Sequence, residues 1–162
     1  MCGITGFYQF NDKIDNRIHV LRKMLTRIKH RGPDQSGIYL SEKIGLGSVR
    51  LSIIDLAAGT MPLSNYNDTF WIVFNGEIFN YLELRQELIK KNHTFKTDSD
   101  TEVIVHLYDE YGPDFVEKLN GQFAIAIWDK NKQELFLARD RVGIRPLFYA
   151  TLSESFVFGS EI

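Results

Sequence analysis

The stretch Gln122–Trp128 reads QFAIAIW and is a nearly continuous apolar run. A strand of this kind has no polar face, so both of its faces must be covered. The residues DKNK (Asp129–Lys132) then turn the chain into Glu134–Ala138, which predicts a hairpin. A strand buried on both faces requires further layers on either side, so this stretch predicts a layered core.

Other parts of the chain add short strands and a few amphipathic helices. Apolar residues recur at helical spacing from Asp15 to His30, from Tyr81 to Lys91 and from Thr101 to Tyr111, and a short helix is predicted at Asp114–Leu119. Further strands are predicted at Thr5–Phe10, Gly37–Leu40, Ile44–Leu51, Phe70–Phe74, Leu147–Thr151 and Phe156–Phe158. Many antiparallel strands with helices in two outer layers predict the α+β class.

The composition excludes several classes of protein. The chain has 19 Lys plus Arg and 21 Asp plus Glu, so its net charge is -2. This charge does not indicate binding to nucleic acid or to an anionic membrane. A hydrophobic fraction of 44% indicates a globular chain. One cysteine excludes an internal disulfide, and no apolar run is long enough for a spanning helix or a signal peptide. The cytoplasm is therefore the expected location.

That one cysteine, Cys2, directly follows the initiator methionine. If Met1 is removed, a thiol and a free α-amine lie on the same residue. An adjacent base that takes the thiol proton is one way of activating such a nucleophile. The alternative is that Cys2 is a small buried apolar residue at the chain end.

Five short blocks stand out from the rest of the sequence. They are MCGITGF (1–7), RGPDQSG (31–37), RLSIIDL (50–56), FNGEIFNY (74–81) and SDTE (99–102). Each has a structural explanation when taken alone: RGPDQSG and NGE suit turns, and SDTE suits a helix start capped by Ser99. Taken together, they indicate a site.

A thiol that attacks a carbonyl needs donors for the oxyanion that forms. The side-chain amide of Asn75 and the backbone N–H of Gly76 suit this role. Arg50 offers a fork for a substrate carboxylate, and Asp100 and Glu77 can receive a substrate ammonium. This combination points to an amino-acid substrate that carries a side-chain amide.

The five blocks, in this order, resemble the class II glutamine amidotransferase (glutaminase) domain, an N-terminal-nucleophile hydrolase that also stands at the front of glutamine-dependent asparagine synthetases. The resemblance extends to ARDRVGIRPLFY (138–149) and GSEI (159–162). It implies an αββα sandwich of two antiparallel sheets. It also implies that Cys2 hydrolyses glutamine to glutamate and ammonia through a γ-glutamyl thioester.

The resemblance assigns a role to each matching position. Cys2 is the nucleophile and its α-amine the base; Asn75 and Gly76 form the oxyanion hole; Arg50 binds the glutamine carboxylate. Asp100 and the backbone at Gly76–Glu77 contact the ammonium group, and His30–Gly37 matches a mobile loop that closes over glutamine. Backbone groups of four residues match the rest of the pocket wall: Leu51, Ser52, Ile53 and Ile54.

Two positions depart from the family pattern. The family often has His where this chain has Ser48, and Gln where it has Met61. Neither position carries the chemistry, so the departures bear only on the subfamily.

The resemblance also predicts the domain organisation. Residues 1–162 match a single glutaminase domain, which we expect to be the N-terminal part of a longer synthetase. No Ser-Gly-Gly-x-Asp-Ser phosphate loop occurs here, so ATP and Mg are expected only in the synthetase domain. No cofactor or metal is expected in this domain, because His19, His30, His93 and His106 show no metal-ligand spacing.

Several alternatives remain open at this stage. A different N-terminal-nucleophile amidase, such as an acylase, would lack paired groups, like Arg50 and Asp100, that bind an amino acid. A catalytically silent domain, which only binds a partner or regulates the synthetase part, would release no ammonia whether or not it binds glutamine. The ammonia acceptor is expected to be aspartate, giving asparagine, with a sugar acid of surface polysaccharide synthesis as the second candidate. An oligomer is possible, and a chain that retains Met1 is expected to be inactive.

Overall fold

The computed structural model describes residues 2–10, 16–51 and 60–162. Within these ranges the strands are β1 (Gly3–Gln9), β2 (Gln35–Leu40), β3 (Ile44–Arg50), β4 (Leu63–Ser64), β5 (Phe70–Ile78), β6 (Gly121–Asp129), β7 (Glu134–Arg139), β8 (Phe148–Thr151) and β9 (Ser155–Gly159). The α-helices are α1 (Arg17–Arg27), α2 (Tyr81–Lys90) and α3 (Asp100–Tyr111), and Lys29–Arg31 and Gly112–Lys118 are 3₁₀ helices.

The strands form two sheets in which the neighbouring strands run antiparallel. The first sheet has the order β2-β3-β1-β9-β8 and the second the order β4-β5-β6-β7. The hairpin predicted after Gln122–Trp128 is confirmed, since β6 and β7 pair from Ala124↔Arg139 to Asp129↔Glu134. The N-terminal strand β1 lies inside its sheet, between β3 and β9.

Strand β6 is covered on both faces, as its sequence predicts. Phe123, Ile125 and Ile127 pack with α2 and α3, whereas Ala124, Ala126 and Trp128 pack between the two sheets. Alternate side chains of a strand point to opposite faces, so one apolar run serves two clusters. Burial of each large apolar side chain contributes about 1.5–3 kcal/mol, which makes this strand central to the stability of the fold.

Helix α1 covers the outer face of the first sheet. Its Leu25, together with Ile28, packs on Val49 of β3. The order of layers is therefore α1, first sheet, second sheet, and the α2–α3 pair. This confirms the α+β class that the sequence predicts and the αββα sandwich that the resemblance implies.

Helix α3 begins at the predicted cap. The Ser99 hydroxyl accepts a hydrogen bond from the Glu102 backbone N–H at 3.3 Å. The Glu102 carboxylate accepts from the backbone N–H groups of Lys96 and Thr97, at 2.8 and 2.6 Å. The carboxylate thus fixes the chain that enters α3, and with it the position of Asp100.

Some predicted boundaries were wrong. Strand β1 begins at Gly3, not Thr5, and β5 continues to Ile78 rather than ending at Phe74, because it pairs with β6 as far as Ile78↔Gly121. Helix α1 ends at Arg27, and the predicted helix Asp114–Leu119 is 3₁₀. The two-residue strand β4 was not predicted, and the predicted helix start at Asp15 lies outside the described residues. None of the described helices is long and apolar enough to cross a membrane.

Candidate active site

Cys2 lies immediately before β1 and is a half-buried free thiol. Its backbone carbonyl accepts a hydrogen bond from Arg31 Nε at 3.1 Å. The next residue, Gly3, pairs with Val49 of β3. Cys2 is therefore held at the end of an interior strand while its side chain remains accessible.

The start of β1 is also held by the C-terminal segment of the chain. The Ile4 N–H donates to the Ser160 hydroxyl, and the Ser160 N–H donates to the Ile4 carbonyl, both at 2.9 Å. Arg31 Nη1 donates to the Glu161 carboxylate at 2.9 Å. Ser160, Glu161 and Arg31 thus hold Cys2 and the start of β1 in place, and the sequence did not predict these contacts.

Arg50 lies at the end of β3 next to Cys2. Because Gly3 pairs with Val49 in antiparallel register, the following residue of β3 comes opposite Cys2. Arg50 also pairs with Gln35 of β2, and its carbonyl accepts from the Asp34 N–H at 3.2 Å. Arg50, the predicted carboxylate clamp, and Cys2, the predicted nucleophile, are thus neighbours.

The predicted pocket wall can be placed only in part. Leu51 directly follows β3 and is half-buried. Ser52, Ile53 and Ile54 lie outside the described residues. Their backbone contact with glutamine stays a prediction.

Asn75 and Gly76 lie inside strand β5, not in the turn that their sequence suggests. Asn75 shares a face with Val73, which belongs with Ile4 to the apolar cluster between the sheets. The side chain of Asn75 is buried with 2% exposure. Its Nδ2 has no hydrogen-bond partner among the described residues.

The Gly76 N–H points away from strand β6. The N–H groups of Phe74 and Ile78 donate to Met61 Sδ and Asp100 Oδ2, on the edge of β5 that does not face β6. Backbone N–H groups two residues apart in a strand point to the same side, so the Gly76 N–H lies between them. In the described part of the chain no acceptor bonds to the Gly76 N–H. This N–H and Asn75 Nδ2 are therefore two unpaired donors on neighbouring residues.

Asp100 lies at the first residue of α3 and reaches the end of β5. Its Oδ2 accepts the Ile78 N–H at 3.1 Å. Burial raises the pKa of Asp100, and the nearby charge of Glu77 raises it further. Hydrogen bonds from backbone N–H groups lower the pKa, but by less, so it stays above its usual value. Glu77 itself is exposed. The two acidic groups predicted to receive an ammonium are therefore brought together.

Ser48 and Met61, the two departures from the family pattern, connect the sheets beside this site. The Ser48 hydroxyl donates to the Met61 carbonyl at 2.8 Å, and Met61 Sδ accepts the Phe74 N–H at 3.3 Å. Ser48 pairs with Ile4, two residues from Cys2, and Phe74 directly precedes Asn75. This bridge places the Cys2–Arg50 pair and the Asn75–Asp100 group at the same end of the sandwich.

The predicted closing loop, His30–Gly37, lies beside Arg50 but is only partly a loop. Residues Gln35–Gly37 belong to β2, and Pro33 forms an isolated bridge with Arg50. A Cβ added at Gly37 would lie 1.9 Å from the Met61 carbonyl oxygen, so only glycine fits there. Only the part of this segment before Gln35 lies outside β2.

The ARDRVGIRPLFY block runs from the end of β7 to the start of β8, and Asp140 organises the loop between them. This buried carboxylate accepts the N–H groups of Phe123, Ile144 and Arg145 at 3.2, 2.8 and 2.9 Å. Burial raises the pKa of Asp140, but these bonds outweigh it and lower the pKa below its usual range. In the described residues, the group of side chains suited to a metal is elsewhere, at His93, His106 and Asp109.

Comparison with known proteins places the chain in a family. The model of the glutamine amidotransferase domain family matches residues 1–162. The chain is 45% and 46% identical to the glutamine-hydrolyzing asparagine synthetases 1 and 2 of Bacillus subtilis (strain 168), over 99% and 100% of its length. It is 44% identical to glutamine-hydrolyzing asparagine synthetase 1 of Arabidopsis thaliana over 91% of its length. The chain spans 26%, 22% and 25% of those relatives.

A solved structure has the same fold. Glutamine phosphoribosylpyrophosphate amidotransferase from B. subtilis, complexed with ADP and GMP, matches with a TM-score of 0.81 and 23% identity, covering 98% of this chain and 42% of that one. At this identity the likeness shows the fold alone. By its sequence match over its whole length, this chain belongs to the glutamine amidotransferase domain family.

Proposed function

We propose that this protein hydrolyses L-glutamine to glutamate and ammonia through a γ-glutamyl thioester on Cys2. The observation that carries the proposal is the pair of unused donors on β5. A buried side-chain amide without a partner costs free energy, and a ligand that accepts a hydrogen bond from it recovers that cost. Asn75 Nδ2 and the Gly76 N–H supply the two donors that an acyl-transfer oxyanion needs.

The reaction begins once Met1 has been removed. The α-amine of Cys2 takes the thiol proton, and Sγ attacks the side-chain carbonyl carbon of glutamine. Asn75 and Gly76 donate to the oxyanion that forms. The protonated amine then gives its proton to the leaving nitrogen, so the C–N bond breaks and ammonia departs. Water, activated by the same amine, hydrolyses the thioester to glutamate and restores the thiol.

The same site recognises the amino-acid part of glutamine. Arg50 binds the α-carboxylate with its planar fork. Asp100, with the backbone at Gly76–Glu77, binds the α-ammonium, while Leu51 and the residues after it form the wall. Movement of residues His30–Asp34, the part of the predicted closing loop outside β2, over the bound substrate excludes water and retains ammonia.

We further propose that the ammonia serves a synthetase part joined to this domain. Support comes from the relatives, which are glutamine-hydrolyzing asparagine synthetases about four times as long as the matched region. Residues 1–162 would then be the N-terminal domain, and aspartate the acceptor, with ATP and Mg bound by the synthetase part. Amidation of a sugar acid is the second candidate. A reaction that depends on a free thiol suits the cytoplasm.

The proposal is tested by substrate scope. Purified protein whose intact mass shows loss of Met1 is incubated with glutamine, asparagine and simple acyl amides, and glutamate and ammonia are measured. We expect equal amounts of glutamate and ammonia from glutamine, and none from a Cys2→Ala variant. Equal turnover of simple amides would identify an acylase-type amidase instead. Binding of glutamine without ammonia release would identify a silent domain.

A further inference from the structure

A second cluster of polar side chains lies away from Cys2, where the segment after α2 meets α3. His93, His106 and Asp109 each bring one ligand atom to within 4.8 Å of the others. His106 is buried with 1% exposure, and the His93 side chain is 14% exposed. His106 and Asp109 are three residues apart on α3, so they share one face of the helix.

The two histidines face each other through the same type of ring nitrogen. Their Nδ1 atoms are 3.2 Å apart. Each ring directs its other nitrogen at a carboxylate: His93 Nε2 lies 3.1 Å from Glu110 Oε2, and His106 Nε2 lies 3.7 Å from Glu102 Oε1. A carboxylate beside Nε2 favours the tautomer that carries its proton there.

This arrangement directs two lone pairs at one point. With both protons on Nε2, both Nδ1 atoms are acceptors, and two acceptors at 3.2 Å repel unless a cation lies between them. Two nitrogens bound tetrahedrally to zinc at about 2.0–2.1 Å lie roughly 3.3 Å apart. The observed separation of the Nδ1 atoms fits that geometry. A carboxylate that orients each ligating histidine is the usual outer shell of such a site.

The charges around the cluster favour a cation. Three carboxylates lie at or beside the cluster: those of Asp109, Glu102 and Glu110. The Glu110 carboxylate also pairs with Lys91 at 2.5 Å, which neutralises one charge. Among the described residues, neither Asp109 nor Glu102 forms an ion pair with a Lys or Arg side chain.

The third ligand is fixed by a neighbouring loop. Asn65 Nδ2 donates to Asp109 Oδ2 at 3.3 Å. Asn65 is itself buried, and its carbonyl oxygen accepts the N–H groups of Thr69 and Phe70 at 3.0 and 3.1 Å. The carboxylate of Asp109 is thus held by a rigid partner.

We propose that His93 Nδ1, His106 Nδ1 and an oxygen of Asp109 bind one Zn²⁺ ion, with water at the fourth position. Two imidazoles and a carboxylate form a ligand set that suits zinc. The ion would fasten the segment after α2 to α3, the helix that begins at Asp100. This inference departs from the expectation of no metal, which rested on ligand spacing along the chain.

The test uses the purified protein with the substitution Cys2→Ala, because an N-terminal thiol and amine would themselves chelate zinc. The protein is stripped with a chelator, then titrated with Zn²⁺ against a chromophoric competitor, and its thermal denaturation is followed with and without the ion. We expect one equivalent to bind and Tm to rise on binding. Absence of stoichiometric binding would overturn the proposal and leave His106 Nδ1–H donating to His93.

Variants locate the bound ion. His93→Ala is chosen because this side chain is partly exposed, so the fold should tolerate the change. We expect His93→Ala and Asp109→Asn each to weaken zinc binding at least tenfold. The exposed His19→Ala is the matched control and should leave the affinity unchanged. Binding that His93→Ala does not weaken would place the ion elsewhere and refute the site.

Discussion

Asn75→Ala separates a catalytic role for this buried amide from a structural one. The side chain is 2% exposed, and no described residue accepts a hydrogen bond from its Nδ2. If the amide binds the oxyanion, its removal raises the barrier by about 2.7–4 kcal/mol, which lowers kcat by about 10²–10³-fold. KM for glutamine should change little, because the oxyanion forms only after binding.

The effect of the same change on stability follows from the missing partner. An unpaired buried donor costs about 1–3 kcal/mol, and alanine relieves this cost. The truncation also removes packing contacts between the sheets, which offsets the gain. We therefore expect the free energy of unfolding to change by less than about 1 kcal/mol.

Asn65→Ala is the matched control. Asn65 is also a fully buried asparagine, but both ends of its amide are used: its oxygen accepts from Thr69 and Phe70, and its nitrogen donates to Thr69 and Asp109. Its loss should destabilise the protein by about 1–3 kcal/mol and leave kcat unchanged. Steady-state glutaminase assays and urea denaturation of both variants measure the contrast. The reasoning fails if Asn75→Ala keeps kcat within about threefold, or loses as much stability as Asn65→Ala.

Three further changes test the site and its support. Gly76→Ala would place a Cβ 2.1 Å from the Gln122 carbonyl oxygen, so urea denaturation should show a loss of about 1–3 kcal/mol and glutaminase assays a lower kcat; unchanged values would refute the close approach. Arg50→Lys should raise KM for glutamine roughly tenfold to a hundredfold at similar kcat, because an ammonium cannot reproduce the fork; an unchanged KM would remove Arg50 from the carboxylate site. The lowered pKa of Asp140 means that its ionised form stabilises the fold above the ordinary aspartate pKa, and that this contribution is lost as pH falls through the lowered value. Asp140→Asn should therefore cost about 1–3 kcal/mol at neutral pH and progressively less in acid, as followed by urea denaturation across pH; a cost independent of pH would contradict this.

Much of the fold was predictable because its signals are local. The apolar run Gln122–Trp128 required cover on both faces, and the helical spacing within Tyr81–Lys91 and Thr101–Tyr111 matched α2 and α3 closely. The end of β5 was not predictable, because NGE has the composition of a turn. It is pairing with β6, more than 40 residues later, that keeps Asn75, Gly76 and Glu77 extended.

The candidate site was likewise only partly predictable from the sequence. The residues with chemistry to offer, such as Cys2, Arg50 and Asp100, stand out by type and by motif order. The groups that hold them do not. Arg31 reaches the Cys2 carbonyl across 29 positions, and Ser160 reaches Ile4 across 156. These contacts are set by the closing of the first sheet around β1, and no local pattern encodes them.

The pairing of His93 with His106 also has no local pattern in the sequence. They are 13 positions apart, outside the spacings that mark metal ligands within one turn or hairpin. They meet because α3 packs against the end of α2. A ligand cluster assembled by tertiary packing leaves no signature in the sequence.

The central claim is that Cys2, with its own free amine, forms a covalent bond to the γ-carbonyl of glutamine. Acid quenching during turnover, followed by intact-protein and peptide mass spectrometry, tests it most directly. We expect a γ-glutamyl adduct on the peptide that begins with Cys2, only in chains that have lost Met1, and absent from Cys2→Ala. Full glutaminase activity in chains that retain Met1, or an adduct on any other residue, would contradict the account.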